Sequence, residues 1–451
     1  MRLSSATVAR ASARRPWTVV GIWALIIVLS LGAASVLLAD ALTTDFDFTD
    51  NPESQQAAEL IKELRGETTI PELVIVSADE ATVQDPAYGA YVTELTEALN
   101  GLIGETDVVF VGSYLTQSGP VSEDGRTALL PVMIQTESFA VLQEVAGEMN
   151  DIIATTSVPE GFTVATYGSG TLNEDFTHLS EETLQRGEAI GIGIALIILI
   201  VVFGTIVAAV VPIILAIVAI IVALGLTALI GQALELSFFV TNMITMIGLA
   251  VGIDYSLFIV SRYREERKRG YEKLDALERA GGTSSRAVFF SGLIVVLAVS
   301  AMLFVPASIF VSLGLGAIAV VVAAVAAALT LLPAVLSLLG DKIDRLRVRK
   351  ESEDPERRGT IWDRVGRVVM ARPWISLIAS AGVLLILTSF YLRLDAGFAG
   401  VTTLPDDTPS KQAYELLTEA GIPPGEGTPV EVVVDGEITP EVEAAMAELQ
   451  S

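Results

Sequence analysis

Cysteine is absent from the 451 residues of this chain, and histidine occurs once, as His178. Without cysteine the chain has no disulfide bond, no thiol nucleophile and no thiolate metal site. One histidine cannot form a histidine-rich metal centre, and the sequence shows no supporting residues for a Ser-His-Asp catalytic set around it. The glycines of "TYGSG" (Thr166–Gly170) form no phosphate loop, because no GK[ST] sequence follows them. The sequence therefore predicts no enzyme, no metal and no cofactor.

Basic residues are also scarce. The chain has 28 lysines and arginines against 54 aspartates and glutamates, which gives a net charge of −26 at pH 7. The acids are concentrated between Asp40 and Glu182, whereas all the basic residues fall outside the long apolar runs. A water-exposed segment this acidic argues against binding nucleic acid or anionic lipid headgroups.

Apolar sequence is abundant, with 52% hydrophobic residues and a mean hydropathy of +0.59. This composition is typical of a protein with several membrane spans. The run Trp17–Ala39 follows a basic N-terminus. At about 23 residues it is long enough to cross a bilayer and too long for a signal peptide. Ile190–Ile230 is about 41 residues long, so we expect two helices, with a break near Gly204-Thr205 and with Pro212 opening the second. The other predicted spans are Leu236–Ser261, Ala287–Val305, Ile309–Leu339 and Trp374–Leu392.

The positions of lysine and arginine predict how these seven helices are oriented. Beyond the N-terminus, nearly all of them lie in the loop Arg262–Arg286 and in the stretch Asp341–Arg372. Cytoplasmic loops are enriched in basic residues, so we expect both segments and the N-terminus on the cytoplasmic side. Residues 40–187 are then outside.

Residues 40–187 alternate strand and helix patterns. Strands are predicted at Glu72–Ala78, Val108–Leu115, Thr127–Gln135 and Phe162–Gly170, and helices at Asp85–Leu102 and Phe139–Ile153. The order βαββαβ is that of a ferredoxin-like α+β unit. A polar helix over Thr171–Ala189 then leads into the membrane.

An internal repeat organises the chain. Three pairs of segments match in outline: "RRPWTVVGIWALIIVLS" (Arg14–Ser30) with "ARPWISLIASAGVLLILTS" (Ala371–Ser389), "ESQQAAELIKE" (Glu53–Glu63) with "PSKQAYELLTE" (Pro409–Glu419), and "PELVIVS" (Pro71–Ser77) with "PVEVVVD" (Pro429–Asp435). Parallel repeats are common in transporters. The unit is one span, one soluble domain and five further spans, and the second unit stops at Ser451 inside its soluble domain.

The repeat gives the expected domain boundaries. These are 1–39 for the cytoplasmic N-terminus and first helix, 40–187 for the first soluble domain, 188–339 for helices two to six, 340–372 for a cytoplasmic linker, 373–393 for the seventh helix, and 394–451 for the start of a second soluble domain.

A carboxylate inside a predicted span is the most informative single residue. Asp254 lies in "GLAVGIDYSLFIVSRYREER" (Gly248–Arg267), roughly 12 Å along the helix from the first arginine, too deep for its short side chain to reach the interface. A charge at membrane depth costs a few kcal/mol or more, about 2.5–3.5 kcal/mol on the lowest scale, and usually marks a functional site. Asp254 is either a structural residue bonded to another helix or a group that binds and releases a proton.

The neighbours of Asp254 separate into two faces on a helical wheel. Gly248, Gly252 and Ser256 form a face of small residues suited to close helix packing, whereas Phe258 lies on the Asp254 side. Tyr255 lies between the faces, and its hydroxyl could pair with the carboxyl group of Asp254. Phe258 is expected to pack, with channel lining as the alternative. The basic run that follows is interpreted as a topology anchor with a cytoplasmic helix.

The segment "GLAVGIDYSLFIVSRYREE" resembles the fourth-helix signature of the MMPL family, the mycobacterial membrane protein large-like branch of the resistance-nodulation-division (RND) superfamily. The resemblance covers the first half of the family's plan and the start of the second. It implies a twelve-helix exporter of lipids or other hydrophobic molecules in the bacterial plasma membrane. Such an exporter is driven by the proton gradient, carries two porter domains and acts as a monomer or trimer.

The same resemblance assigns roles to individual residues. It implies that Asp254 is the proton-relay acid, that Tyr255 is its partner and, more weakly, that Phe258 lines a channel. In the family a second Asp-Tyr pair on the tenth helix completes the relay, and that pair would lie beyond Ser451. Two alternatives stay open at this point: a membrane sensor or scaffold resembling sterol-sensing domains, and a proton-coupled accessory of protein secretion.

Overall fold

The computed structural model describes residues 5–44, 50, 52–66, 69–136, 138–348, 362–392, 394, 400–422 and 438–449. Within them the α-helices are α1 (Ser5–Arg14), α2 (Pro16–Leu37), α3 (Glu53–Arg65), α4 (Pro86–Asn100), α5 (Phe139–Thr155), α6 (Ser169–Phe203), α7 (Ile206–Ile230), α8 (Phe239–Lys268), α9 (Lys273–Val299), α10 (Ser308–Ala326), α11 (Leu332–Leu339), α12 (Trp362–Ala371), α13 (Pro373–Tyr391), α14 (Pro409–Glu419) and α15 (Pro440–Leu449). The strands are β1 (Leu42–Thr43), β2 (Thr69–Ala78), β3 (Val108–Val111), β4 (Thr127–Gln135), β5 (Phe162–Gly168) and β6 (Leu236–Ser237).

Seven helical segments among the described residues are long and apolar enough to cross a membrane, as the sequence predicts. They are α2, α6, α7, α8, α9 with the 3₁₀ turn that follows it, the segment from α10 to Asp344, and α13. The most buried helices, α7 and α10, form the centre of the bundle. Helix α7 packs against α2, α6, α8 and α10.

The break between α6 and α7 confirms that Ile190–Ile230 forms two helices. Gly204 has a φ of 70° and closes α6, because its left-handed conformation cannot continue the helix. Thr205 is extended, and α7 starts at Ile206. The prediction that Pro212 opens the second helix is wrong: Pro212 is the seventh residue of α7 and lies beyond its first turn. Proline is tolerated there because packed neighbouring helices compensate for the lost hydrogen bond.

The basic loop predicted at Arg262–Arg286 is mostly helical. Helix α8 continues to Lys268, and α9 begins at Lys273. The reversal between them is a short turn in which Gly270 has a φ of 91°. The helix of this span therefore continues past its apolar part into a charged segment. Hydropathy marks where the apolar part ends and does not mark where the helix ends.

The soluble segment contains a four-stranded antiparallel sheet in the order β3-β4-β2-β5. Its β–α–β–β–α–β order along the chain agrees with the sequence prediction. Helices α4 and α5 cover one face, where Leu95 and Leu142 pack against Val74 and Leu130 of the strands. Strand β2 begins three residues before its predicted start, and β3 is four residues shorter than predicted.

The other face of this sheet is covered by a segment from the far end of the chain. Ala413 and Leu417 of α14 pack against Leu73 and Ile75 of β2, with Tyr167 of β5 at the same contact. Helix α14 belongs to the segment assigned to the start of a second soluble domain. Instead of starting a separate core, this helix completes the core of the first sheet. The sequence did not predict this contact.

The internal repeat is visible in the backbone. In each unit a short helix precedes a membrane helix: α1 precedes α2, and α12 precedes α13. Arg15 and Arg372 join them with similar dihedral angles, φ −125° and ψ 59° against φ −140° and ψ 65°, each followed by a proline that starts the membrane helix. The aligned segments of the soluble part, α3 and α14, are both helices. The third match, "PVEVVVD", lies outside the described residues.

Candidate functional site

Helix α8 has one packed face, formed by the small residues that the sequence marks. Gly248, Gly252 and Ser256 are all buried. A Cβ atom built on Gly252 would lie 2.6 Å from the Cα atom of Ala216 in α7. One built on Gly248 would lie 2.4 Å from an Ile220 side-chain carbon of the same helix. These glycines therefore allow α7 and α8 to approach more closely than any larger residue would permit.

The opposite face of α8 carries Asp254. Met246, Ala250, Asp254 and Phe258 follow one another at four-residue spacing, and all four are exposed. Among the described residues Asp254 has no hydrogen bond and no ion pair. A charged side chain facing hydrocarbon is costly, so the free energy of the membrane-inserted protein favours an arrangement that covers this face or neutralises the charge.

Tyr255 is buried, with 5% of its surface exposed. A Cβ atom on Gly292 of α9 would lie 3.6 Å from the tyrosine oxygen and 2.4 Å from a Val325 methyl group of α10. The ring therefore lies where α8, α9 and α10 meet. Its hydroxyl group has no hydrogen-bond partner among the described residues. Because an unpaired buried hydroxyl is unfavourable, this group stands out from the apolar packing around it.

The structure does not join Asp254 and Tyr255 by a hydrogen bond. Consecutive residues on a helix point about 100° apart and do not face each other. Asp254 accordingly projects from the exposed face, while Tyr255 projects into the bundle. Phe258, more than half exposed, lies one turn from Asp254 on the same face. Of the three predicted site residues, the structure brings Asp254 and Phe258 together and points Tyr255 to a different side.

The C-terminal part of α8 contains a cluster of charges whose pairing the sequence did not predict. Arg264 donates from Nε and Nη2 to Oδ1 of Asp344, at 2.9 Å and 2.7 Å. Its Nη1 donates to the carbonyl oxygen of Phe203, at 2.9 Å. Phe203 is the last residue of α6, so Arg264 connects the helix that carries Asp254 to the C-terminus of α6. Cations at a helix C-terminus are favoured by its partial negative charge.

Glu266 is the buried acid of this cluster. Its side chain is almost fully buried and pairs with Arg262 at 2.7 Å and with Arg269 at 2.8 Å. Arg267 binds Asp341 and also donates to the carbonyl oxygen of Tyr271 at 2.8 Å. The arginines that the sequence marks as a topology anchor are thus largely paired within the protein. The sequence signal for this was acids interleaved with arginines at helical spacing in "SRYREERKRG".

A second buried carboxylate lies in the soluble sheet and was also missed. Glu72 of β2 is fully buried, and it accepts hydrogen bonds at the N-terminus of α6. Strand parity places Glu72 on the same face as Val74 and Val76, but it does not single out a buried carboxylate, because Leu73 and Ile75 of the other parity are buried too. The described residues include no group of three or more histidine, aspartate or glutamate side chains that could hold a metal ion.

Comparison with known proteins identifies relatives of this arrangement. The model of the MMPL family matches residues 47–376. SCO6666 of Streptomyces coelicolor, whose name describes it only as a membrane protein, is 30% identical over 95% of this chain and 59% of its own length. The trehalose monomycolate exporter MmpL3 of Mycolicibacterium smegmatis is 28% identical over 82% of this chain and 40% of its own length.

A third relative matches over a shorter region. The mycolic acid-containing lipids exporter MmpL11 of Mycolicibacterium smegmatis is 36% identical over 49% of this chain and 24% of its own length. The chain thus spans less than two thirds of each of these three relatives. The two named for a function are exporters, one of mycolic acid-containing lipids and the other of trehalose monomycolate. With the family model matching most of its length and seven helices able to cross a membrane, the chain belongs to the MMPL family of multi-pass membrane proteins in the RND superfamily.

Proposed function

We propose that this chain contributes the first half of a proton-driven exporter of lipids or other hydrophobic molecules across the bacterial plasma membrane. The observation that supports this most strongly is Asp254, a carboxylate with no partner among the described residues, on the exposed face of the apolar part of α8. A structural aspartate would be bonded to a neighbouring helix, and the described residues supply no such bond. A carboxylate that gains and loses a proton needs access and a partner that changes during the cycle.

Asp254 is then the proton-binding group of the relay. Protonation removes the charge that is costly beside hydrocarbon, and deprotonation restores it. The packing of α8 against its neighbours therefore differs in energy between the two states. That energy difference allows a proton gradient to drive a conformational change.

Tyr255 is the second group of the relay. Its hydroxyl can donate to a carboxylate or accept from a carboxylic acid, so one hydroxyl serves both protonation states. Because Tyr255 points away from Asp254 on α8, its partner in the relay is expected on another helix. The unpaired hydroxyl where α8, α9 and α10 meet supports this assignment.

The soluble sheet fits a ferredoxin-like porter domain. Its antiparallel order β3-β4-β2-β5, with two helices on one face, supports that assignment. We place residues 40–187 outside the membrane as the first porter domain, residues 394–451 as the start of a second, and the N-terminus in the cytoplasm, from the distribution of basic residues. The protein acts as a monomer or trimer. The names of the relatives support a lipidic substrate.

Asp254→Asn tests the proposal. Asparagine has almost the same shape and still forms hydrogen bonds, but it cannot change charge. In the full-length protein, reconstituted in proteoliposomes under an imposed pH gradient, proton uptake is expected to fall at least 100-fold. Membrane insertion and thermal stability are expected to stay close to wild type, because no described hydrogen bond is lost.

A matched control removes an acid from the same helix. The control is Glu265→Gln. Glu265 lies eleven residues beyond Asp254, is exposed, and forms only surface ion pairs. The variant is expected to keep proton uptake within twofold of wild type. Uptake by the Asp254→Asn variant within a few-fold of wild type would show that Asp254 is structural.

A further inference from the structure

The N-terminus of α6 is built around a carboxylate from the middle of the soluble sheet. Glu72 of β2 accepts a hydrogen bond from the backbone N–H of Gly170 and another from that of Thr171. The Thr171 hydroxyl donates to the same carboxylate at 2.8 Å. These are the second and third residues of α6, whose N–H groups have no partner inside the helix. The carboxylate therefore satisfies donors at the positive end of the helix.

The glycines of "TYGSG" make room for this carboxylate. A Cβ atom on Gly168 would lie 2.4 Å from the carboxyl carbon of Glu72. A Cβ atom on Gly170 would lie 2.3 Å from the carbonyl oxygen of Leu142 in α5. A larger residue at Gly168 would displace the Glu72 carboxylate, and one at Gly170 would have to move the backbone of α5. A glycine-rich helix start usually binds an external anion, and here the anion is a side chain of the same chain.

Burying this charge is unfavourable in itself. Desolvation raises the pKa of Glu72, although the Gly170 and Thr171 donors act in the opposite direction. If this position only had to be filled, a neutral side chain of similar size would serve without the cost of burying a charge. The retained carboxylate therefore indicates a need for a strong, directional connection between β2 and α6.

Helix α6 connects this junction to the site on α8. Its 35 residues form one unbroken helix, roughly 52 Å long at 1.5 Å per residue. At its other end the Phe203 carbonyl binds Arg264 of α8, the helix that carries Asp254. The two ends of α6 are therefore held by groups of opposite charge, one in the sheet and one on the helix with the proposed proton site.

We propose that Glu72 is a positioning residue that fixes the soluble sheet to α6, so that a tilt of α6 in the membrane moves the sheet with it. This rests on the proposed function, because it assigns the sheet a movement driven from the membrane. Nearby polar contacts join α6 to α5, with Asn150 bonding Glu174 and Asn173 bonding Gln143. Glu72 adds the direct contact with the central strand β2.

Spectroscopic distances test this in the full-length protein. Because residues 1–451 contain no cysteine, cysteines can be introduced at exposed Val109 of β3 and exposed Thr183 of α6 and carry spin labels. With Glu72→Gln the width of the distance distribution is expected to at least double, since an amide presents N–H groups to N–H donors. Glu174→Gln is the matched control: it neutralises an acid one turn along α6, its amide oxygen can still accept from Asn150, and it is expected to keep the wild-type width.

Two further measurements separate positioning from folding and from the proposed function. Thr171→Val removes one donor and keeps the charge, so a smaller broadening is expected even if the Glu72→Gln variant fails to fold. Proton uptake by a folded Glu72→Gln variant is expected within twofold of wild type, because Asp254 is intact. An unchanged width in both variants overturns the proposal, whatever the proton uptake. If the wild-type protein shows no proton uptake, the proposed function is contradicted. The width of the distance distribution still tests the role of Glu72.

Discussion

Glu72 and Asp254 are two carboxylates in apolar surroundings, and the protein treats them in opposite ways. Glu72 is fully buried in the soluble sheet and accepts hydrogen bonds from two backbone N–H groups and one hydroxyl. Asp254, in a membrane helix, has no partner among the described residues. A satisfied carboxylate fixes two elements in one geometry. An unpaired carboxylate keeps an unfavourable charge that a second group or a proton can neutralise. A conformational switch requires such a change.

The same contrast divides α8 itself. One face holds glycines in contact with α7, and the other holds Asp254 in an exposed row. We expect the first face to determine whether the bundle assembles, and we propose that the second carries its function. Variants on the two faces should therefore separate stability from activity.

The largest effect on stability is expected from Gly252→Leu. The new side chain would start 2.6 Å from the Cα atom of Ala216, so the α7 and α8 backbones would have to separate. Overpacking of this kind costs about 1–3 kcal/mol, and a backbone contact favours the upper end. Folded protein recovered from membranes, measured by fluorescence-detected size exclusion, should fall at least tenfold. Gly21→Leu in α2 is the control, with open space at its Cβ position. Equal yields for both variants would contradict close packing at Gly252.

A smaller effect is expected from Arg264→Gln. It removes the charged partner of Asp344 and the donor to the Phe203 carbonyl. Hydrogen bonds to charged groups contribute about 1.5–3 kcal/mol, and partial exposure of Asp344 reduces this to about 1–2 kcal/mol. A lower thermal midpoint in detergent, by several degrees, is the expected result. Arg186→Gln, which breaks an exposed pair with Glu182, should leave the midpoint unchanged. If both variants behave alike, the Arg264 cluster does not hold α6 to α8.

Much of the membrane part could be predicted from the sequence, because its determinants are local. Forty-one apolar residues need a break, and the glycine at 204 supplies the positive φ that makes one. The packed glycine face of α8 follows from helical periodicity alone. Pro212 was misplaced because proline only favours the first turn of a helix and is tolerated further in where other helices surround it.

The contacts that were missed join residues distant in the sequence. Arg264 and Asp344 are 80 residues apart, and nothing in a run of cations indicates which one is paired. Helix α14 completes the first sheet from more than 240 residues away in the chain, whereas the repeat suggested a domain of its own. The orientation of Glu72 could have been predicted from strand parity. Its partner could not, because that required knowing that α6 starts beside β2.

The smallest effect on stability is expected from Tyr255→Phe. The hydroxyl has no hydrogen-bond partner among the described residues, so removing it breaks no described bond and relieves an unpaired buried group. The free energy of unfolding should change by less than about 1 kcal/mol, in the stabilising direction if it changes. Proton uptake should fall by a few-fold, less than with Asp254→Asn, since the group that binds the proton remains.

Thermal unfolding in detergent and proton uptake in proteoliposomes, on the same preparation, check this prediction. Ser256→Ala is the matched control, because it removes a hydroxyl from the adjacent residue on the packed face of α8. It should leave uptake unchanged. A purely structural Tyr255 would lower the thermal midpoint and leave uptake per folded molecule intact, since the hydroxyl would then be holding helices together. The opposite pattern, lost uptake at unchanged stability, requires that the hydroxyl acts on the proton, and only a group without a fixed partner in the bundle is free to do so.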